Sequence, residues 1–513
     1  MNIILGPPGT GKTTTLLSMV EADLASGIPP DRIGYVTFTR RGAEEAISRA
    51  CKKFGLEASQ LPYFRTLHSL CYRELGVTSG EMLVGNKFFD FANYARIRVT
   101  GRSWSDDGLL TGFEVGDRIL FMENLARIRQ VSLREQYELS DDNVPWNELE
   151  RVQRALIAYK GRHGLLDYTD MLTEFANHGQ GCGLRRLYVD EAQDLSSLQW
   201  RVVQVLSQGT EQVTVAGDDD QAIYRWAGAD VEHLIRMDGS VRVLAQSFRV
   251  PPVVQQIADG VIGGVRERRP KRWSARKSSV GVVEQHRSFD DVDCDDAWAE
   301  GDPTQPVLVL ARNLYVLREQ VEPALRREGV VYERNGKSSI DAKVLAAIVT
   351  WEDLRAERPT TLGEVRRMYD FLATGVGVRR GFKKLPKYGD DPDEAVTLRD
   401  LIETGGLLAD PKKVWHEALD KLPTEDMSYM LAARRRGEKL RGGQPRVRIS
   451  TIHSAKGGEA RHVVLMTEMA KRTHAEMELS PDDERRVWYV GVTRAKEKLS
   501  IVSSETNREC PWL

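Results

Sequence analysis

The stretch Gly6-Pro7-Pro8-Gly9-Thr10-Gly11-Lys12-Thr13 decides the fold. A short apolar run, Asn2–Leu5, precedes it and reads as a buried strand, and residues 14–25 follow it as a helix. Strand, then GxxxxGK[ST], then helix is the P-loop arrangement. Glycine backbone curls without a Cβ clash, so consecutive N–H groups converge on phosphate oxygens, and the helix N-terminus adds partial positive charge there. Gly6, Gly9, Gly11, Lys12, Thr13 and Thr14 are therefore candidate nucleotide-binding residues. Lys12 is placed to reach the β- and γ-phosphates, and the Thr13 hydroxyl to hold Mg²⁺. A chance glycine loop is the alternative; all fixed positions in the strand-to-helix context stand against it.

Outward from this loop the chain repeats one pattern. After the break at Gly27-Ile28-Pro29-Pro30, the strand Ile33–Thr37 leads into Phe38-Thr39-Arg40-Arg41 and a helix over residues 43–53. Phe64-Arg65-Thr66-Leu67-His68-Ser69 follows. Polar, aromatic-bearing loops at the carboxyl ends of parallel strands are where open α/β sheets bind ligands. Core packing is the bland reading of Phe38 and Phe64. From residue 76 to 162 the alternation stops, and residues 88–96, 117–130 and 146–159 carry apolar side chains at helical steps. This reads as an inserted helical subdomain.

The sheet resumes at Leu187-Tyr188-Val189-Asp190-Glu191-Ala192-Gln193-Asp194, an apolar strand ending in carboxylates. Asp190 is placed to bind Mg²⁺ through water, and Glu191 to orient or deprotonate an attacking water. A further strand enters Gly217-Asp218-Asp219-Asp220-Gln221-Ala222-Ile223-Tyr224-Arg225-Trp226, and the next ends in Gln246-Ser247-Phe248-Arg249. Later come Ile449-Ser450-Thr451-Ile452-His453-Ser454-Ala455-Lys456-Gly457 and Glu484-Arg485-Arg486-Val487-Trp488-Tyr489-Val490-Gly491-Val492-Thr493-Arg494-Ala495.

Composition bounds the class. A chain of 513 residues is too long for one core and implies two to four domains. With 41% hydrophobic and 29% charged residues it has globular composition. The net charge of −2 argues against bulk nucleic-acid affinity and leaves room for a local basic groove. The five cysteines (Cys51, Cys71, Cys182, Cys294, Cys510) are odd in number, widely spaced and lack a CxxC pair, which argues against zinc ribbons, iron–sulfur clusters and a disulfide framework. Met1 opens onto a strand without a basic or apolar leader, and no apolar run reaches membrane-spanning length, so a reduced cytoplasmic compartment is expected.

Taken in order, these motifs resemble the UvrD/Rep family of superfamily 1 DNA helicases, across residues 6 to 495. The resemblance implies an α/β fold of two RecA-like P-loop motor domains, each with an inserted, largely helical subdomain. The expected boundaries are 1–75 and 163–264 for the first motor domain and 76–162 for its insertion. The second motor domain is expected at 265–357 and 444–513, with a short insertion at 358–443. Strands are expected near residues 282–286, 307–311, 330–334, 447–451, 462–466 and 499–503, with no second P-loop. The short insertion carries two basic runs, Arg379-Arg380-Gly381-Phe382-Lys383-Lys384 and Arg434-Arg435-Arg436, which read either as a solvated face or as a duplex-DNA contact.

By the same resemblance, ATP and Mg²⁺ occupy a cleft between the motor domains. Gln221 senses the γ-phosphate; Arg249 and Arg494 contact it from either side. Phe248 stacks on adenine and Glu459 meets the ribose. Phe38, Phe64, Tyr224 and Trp226 are expected to stack on or between bases of a single strand, with Thr66, His68 and His453 as further DNA contacts. Three departures stand out. The family's adenine-reading glutamine precedes the P-loop strand, and this sequence opens on that strand, so adenine is expected to rest mainly on Phe248. Trp226-Ala227-Gly228 replaces the frequent Trp-Arg-Gly, so one DNA contact is expected to be lost or moved. Gly458 and Ala460 flank Glu459 where bulkier residues are usual.

The function implied is an ATP-dependent 3′-to-5′ single-stranded DNA translocase and helicase, monomeric in isolation and nucleoid-associated. Its expected substrates are single strands and single-strand/duplex junctions, with no membrane. A protein-displacing translocase with weak unwinding is one alternative. A DNA-binding scaffold with an inactive motor is another, opposed by intact Lys12, Asp190, Glu191, Gln221, Arg249 and Arg494.

Overall fold

A computed structural model describes residues 1–38, 40–101, 114–140, 142–293, 306–438 and 445–513. Thr39 of the Phe38 loop, Cys294 and the expected boundary at 443/444 lie outside them.

The first sheet is wholly parallel. Its strands are β1 (Asn2–Leu5), β2 (Ile33–Thr37), β3 (Phe64–Thr66), β4 (Arg186–Asp190), β5 (Gln212–Gly217) and β6 (Ser240–Val243). Their order is β3-β2-β4-β5-β1-β6. Because side chains alternate along a strand, each strand serves two cores. On one face Ile33, Tyr35, Phe64 and Tyr188 pack with Leu16, Leu17 and Val20 of the P-loop helix and Ala46 and Ala50 of the helix Arg40–Phe54. On the other, Val36, Leu187 and Val189 pack under the helices Leu67–Glu74, Tyr168–His178 and Ser197–Leu206. Apolar burial on both faces is what a parallel sheet requires.

The P-loop helix is Lys12–Ala25, beginning two residues before the expected start. Gly11, at φ 81°, is its N-cap, a left-handed conformation glycine takes at no steric cost. The register sets Leu5 beside Gly217 and Thr37 beside Asp190, so the P-loop and both carboxylate loops leave the sheet at one edge.

The helical insertion contains Asn86–Ala95, Val115–Arg129, Leu133–Glu138 and Trp146–His163 around Phe91, Ile119, Met122, Leu149 and Val152. An ion network fastens it to the helix Tyr168–His178. Arg127 meets Asp167 at 2.7 Å and Asp170 at 3.1 Å, and Lys160 meets Asp170 at 2.6 Å. Burial raises the Asp167 carboxyl, but Arg127 and Lys160 outweigh it and hold the group well below the usual range.

The second sheet comprises β7 (Val282–His286), β8 (Val307–Ala311), β9 (Tyr332–Arg334) and β10 (Lys337–Ser338), then β13 (Val447–Thr451), β14 (Ala460–Met466) and β15 (Ala495–Val502). Its order is β10-β9-β13-β8-β14-β15-β7, antiparallel only at the β9–β10 hairpin. Between β10 and β13 lies a small pair, β11 (Thr360–Thr361) and β12 (Ala395–Val396).

The second insertion packs an apolar interior despite its two basic runs. It closes on its own core of Leu362, Met368, Tyr369, Trp415 and Tyr429. That core also takes in Trp351 and Leu354 of the helix Ala342–Arg355, so its packing reaches back before residue 358. Arg379, Arg380 and Lys384 are exposed on its surface. Among the described residues no helix is long and apolar enough to cross a membrane.

The two sheets meet through the helices Pro252–Ile262 and Pro481–Val492. Val254 and Val261 of one join Val487 and Val490 of the other, with Leu465 and Leu499 below. Ile223, from the loop after β5, is buried in the same cluster. The motif carrying Gln221 is thus anchored in the core of the opposite sheet.

Candidate active site and nucleic-acid interface

The P-loop closes over its own lysine. Lys12 Nζ donates to the Gly6 carbonyl at 2.8 Å, and Ser247 Oγ donates to the Pro8 carbonyl at 2.7 Å. A Cβ on Gly6 would lie 2.0 Å from Lys12 Cγ, and one on Gly9 would lie 2.3 Å from Arg249 Cβ, so both positions need glycine. Phe248 N–H donates to the Gly9 carbonyl at 2.9 Å, which holds the Phe248 ring, 70% exposed, at the mouth of the loop.

Asp190 ends β4 beneath this loop. Its Oδ2 accepts from Thr13 Oγ1 at 2.8 Å and from the Tyr35 hydroxyl at 2.7 Å, and its Oδ1 accepts from Glu191 N–H at 2.9 Å. Glu191 is held at φ 53°, a strained conformation for a non-glycine residue and one common at active sites. Gln193 Nε2 donates to Glu191 Oε2 at 2.6 Å, while Gln193 Oε1 accepts from Asp218 N–H at 3.0 Å. One amide thus links the two carboxylate loops.

The buried pair is pushed apart electrostatically. Burial, and then the charge of Glu191, raises Asp190. Burial also raises Glu191, but Lys12, Lys456 and Arg494 together hold it below the ordinary carboxylate range. The glycine cradle, Lys12, and a hydroxyl and a carboxylate side by side fit a nucleoside triphosphate with a divalent cation; Thr13 and Asp190 are the residues that could hold the metal.

Gln221 is gripped from three sides. Its Nε2 donates to Asp218 Oδ2 at 2.6 Å, and its Oε1 accepts from Arg494 Nη2 at 2.9 Å. Its carbonyl accepts from Lys456 Nζ at 2.7 Å. Lys456 also meets the Asp194 carboxylate at 2.6 and 2.7 Å. Burial lifts Asp194 to about 6 despite that pairing. Burial, with the charge of Arg249 added, depresses Arg494 to about 9. Arg249 Nε pairs with Glu459 Oε2 at 2.5 Å, and Lys496 with the other Glu459 oxygen at 2.5 Å.

Behind Gln221 lies a cluster that sequence reasoning missed. Lys271 is buried against Asp218 and Asp220, at 3.1 Å from each, and also pairs with Asp219. Burial works against its charge, but the three carboxylates hold the ammonium above its ordinary range. Arg268 Nε donates to Asp220 at 2.8 Å, and Arg486 Nε donates to the Asp219 carbonyl at 3.0 Å. The signal was available: three consecutive aspartates at the end of a buried strand need cations, and Arg268-Arg269-Pro270-Lys271 supplies them.

The aromatic residues divide. Phe38, 37% exposed, stacks on Tyr224 with ring centroids 5.6 Å apart. Tyr224 donates to the His453 carbonyl at 3.1 Å, and Lys456 sits 4.9 Å over its ring. Trp226, partly exposed, lies near-parallel to Phe121 of the helical insertion at 6.4 Å and edge-on to His453 at 6.3 Å. The structure thus gathers Phe38, Tyr224, Trp226 and His453 along one seam.

Phe64 departs from the stacking expectation. It is 1% exposed and stacks on Tyr35 at 5.7 Å, because β3 pairs beside β2 with Phe64 opposite Tyr35. It packs the core and offers no face to a base. His453 is only 3% exposed, and burial drives its imidazole well below the ordinary range. Thr66 caps the helix Leu67–Glu74, accepting from Ser69 N–H, and His68 in its first turn is pushed by burial down to about 4. Arg225, beside the Ala227 departure, meets Asp483 at 3.0 Å and Glu232 at 2.7 Å, bracing the two halves.

Two family models match this chain: the UvrD/REP helicase N-terminal domain over residues 1–242 and the UvrD-like helicase C-terminal domain over residues 393–506. The chain belongs to the UvrD/Rep family of superfamily 1 DNA helicases.

Relatives agree. The chain is 25% identical to the ATP-dependent DNA helicase UvrD2 of Mycobacterium bovis over 559 residues, covering 97% of this chain and 76% of the relative. It is 25% identical to the ATP-dependent DNA helicase PcrA of Leuconostoc citreum over 422 residues, 78% of this chain and 54% of the relative. It is 24% identical to PcrA of Staphylococcus aureus over 303 residues, 55% of this chain and 40% of the relative. The two-motor α/β architecture is that of the UvrD-like helicase.

Proposed function

We propose that this ATP-dependent DNA helicase of the UvrD/PcrA type hydrolyses ATP between its motor domains, moves 3′ to 5′ along single-stranded DNA and opens duplex at a junction. One observation carries the reading. The loop after β5 holds the γ-phosphate sensor Gln221, contacted by Arg494 at 2.9 Å, and three residues on presents Tyr224 to the aromatic seam.

Lys12 and the P-loop N–H groups bind the phosphates. Thr13 and Asp190 are proposed to hold Mg²⁺, which when bound neutralises charge on the β- and γ-phosphate oxygens. Glu191, ionised and fixed by Gln193, orients the attacking water and accepts its proton. Arg249 and Arg494 meet the charge that develops on the γ-phosphoryl oxygens; an arginine in this role is worth about 10³–10⁵ in rate. Glu459, now paired with Arg249, turns to the ribose as Arg249 turns to phosphate. Loss of the γ-phosphate releases both arginines, and the cleft opens.

Phe38, Tyr224 and Trp226 hold bases by stacking, worth about 1–3 kcal/mol per base without regard to sequence. Cleft closure against that grip gives directional stepping, and the protein is proposed to work as a monomer. The test is unwinding of duplexes carrying a 3′ or a 5′ single-stranded tail. The reading expects ATP-dependent unwinding of the 3′-tailed substrate and none by Lys12→Ala. Preference for the 5′ tail, or unwinding that survives Lys12→Ala, contradicts it.

A further inference from the structure

We propose that the Tyr35 hydroxyl is a positioning donor for Asp190 and sets how tightly the site takes a divalent cation with its nucleotide. The proposal rests on the reading of Thr13 and Asp190 as the metal-holding residues.

Tyr35 lies in the middle of β2, every residue of which is buried. A buried phenol needs a hydrogen-bond partner, and a phenylalanine would fill the same volume without one. The partner is set by register. Tyr35 pairs with Tyr188 and Thr37 with Asp190, in parallel strands. Side chains two residues apart share a face and sit about 6.6 Å apart along the strand, within reach of a tyrosine ring and its oxygen. The Tyr35 oxygen therefore arrives at the carboxylate one step ahead, donating to Asp190 Oδ2 at 2.7 Å.

Three donors then fix the carboxylate: Tyr35 and Thr13 on Oδ2, and Glu191 N–H on Oδ1. The ring itself cannot swing away. It is stacked on Phe64 and packed beneath the P-loop helix with Leu16, Leu17 and Val20. A hydroxyl has one proton and two lone pairs. With its proton committed to Asp190, Thr13 keeps its lone pairs for a cation. Without Tyr35, only Thr13 holds Oδ2, so the carboxylate can turn and the Thr13 hydroxyl loses its fixed direction. Tyr35 thereby acts on the metal through Asp190 and touches neither nucleotide nor water.

Tyr35→Phe removes one oxygen and keeps the ring. Affinity for a fluorescent ATP analogue is measured in EDTA and across a Mg²⁺ titration for wild type, Tyr35→Phe and Lys12→Ala, with thermal unfolding alongside. Tyr35→Phe is expected to melt close to wild type and to bind nucleotide unchanged in EDTA. Its Mg²⁺ midpoint is expected to rise about tenfold, the scale of a lost hydrogen bond to a charged group. Lys12→Ala should lose affinity in both conditions. An unchanged Mg²⁺ midpoint in Tyr35→Phe overturns the proposal whatever its melting temperature. Equal loss of affinity with and without Mg²⁺ also overturns it, since that reports damage to the whole pocket. If Mg²⁺ adds nothing to binding by wild type, the metal-site reading itself falls and takes the proposal with it.

Discussion

Arg494, which directly precedes β15, donates through Nη2 to the side-chain oxygen of Gln221 beyond β5, 2.9 Å away, and so ties the second sheet to the first. The guanidinium is fully buried, and its remaining hydrogen bonds go to the carbonyls of Val490 and Gly458. Burial and the nearby Arg249 lower its pKa to about 9 against the opposing pull of Glu191 and Glu459, so further negative charge at this point would be stabilised by the guanidinium. Arg494→Ala should lower DNA-stimulated ATP hydrolysis by about 10³-fold or more while nucleotide still binds the P-loop. Glu191→Gln should match it in hydrolysis and bind nucleotide as well as wild type. Steady-state ATPase with parallel nucleotide binding checks both; near-normal turnover in either variant would remove that residue from the chemistry.

Trp226 distinguishes a grip on DNA from a packing role. It is partly exposed, against Phe121 and His453 rather than inside either sheet's core. Trp226→Ala should cost about 1–3 kcal/mol of single-strand affinity and weaken DNA stimulation of the ATPase, with basal hydrolysis retained. A core tryptophan would instead cost about 3–5 kcal/mol of stability. Fluorescence anisotropy on an oligonucleotide, with thermal unfolding alongside, separates these. A large fall in melting temperature with DNA affinity intact makes Trp226 a packing residue.

Asp194 gives a pH signature. Burial raises its carboxyl to about 6, so the folded state favours the protonated form. That contribution is fully present below the ordinary carboxylate range and is lost as pH rises through about 6; two pKa units correspond to about 3 kcal/mol. Wild type should therefore lose stability relative to Asp194→Asn between about pH 4 and pH 6.5 and level off above that, a difference read from paired denaturant titrations. A wild-type-minus-variant difference that stays flat or rises with pH would mean that Lys456 fully offsets the burial of Asp194.

The geometry of the P-loop and of the Asp190 loop was legible in the sequence because such loops constrain backbone and spacing together. Gly9 and Gly11 take φ 70° and 81°, and Asp190 must end a strand beside the P-loop strand's neighbour, so the motif letters carry the geometry. Aromatic roles were less legible. Phe38 and Phe64 both follow or open a strand next to a polar loop, and the difference lies in pairing. Phe64 stands within β3 against Tyr35, whereas Phe38 lies one residue past the end of β2. Residue type cannot decide between those until register is known. The same holds for Tyr35 and Lys271, whose partners lie 155 residues away in one case and half a hundred in the other. The core of the second insertion was hidden because Trp351, Tyr369, Trp415 and Tyr429 are scattered among polar residues without a sustained period.

The central claim is directed motion driven by the cleft that Arg494 and Gln221 close. Displacement of streptavidin from biotinylated single-stranded oligonucleotides tests it most directly, because no duplex need be opened. The account predicts ATP-dependent displacement from a 5′-biotin end, little from a 3′-biotin end, and neither with Arg494→Ala. Displacement chiefly from the 3′ end, or activity undiminished in Arg494→Ala, would contradict it.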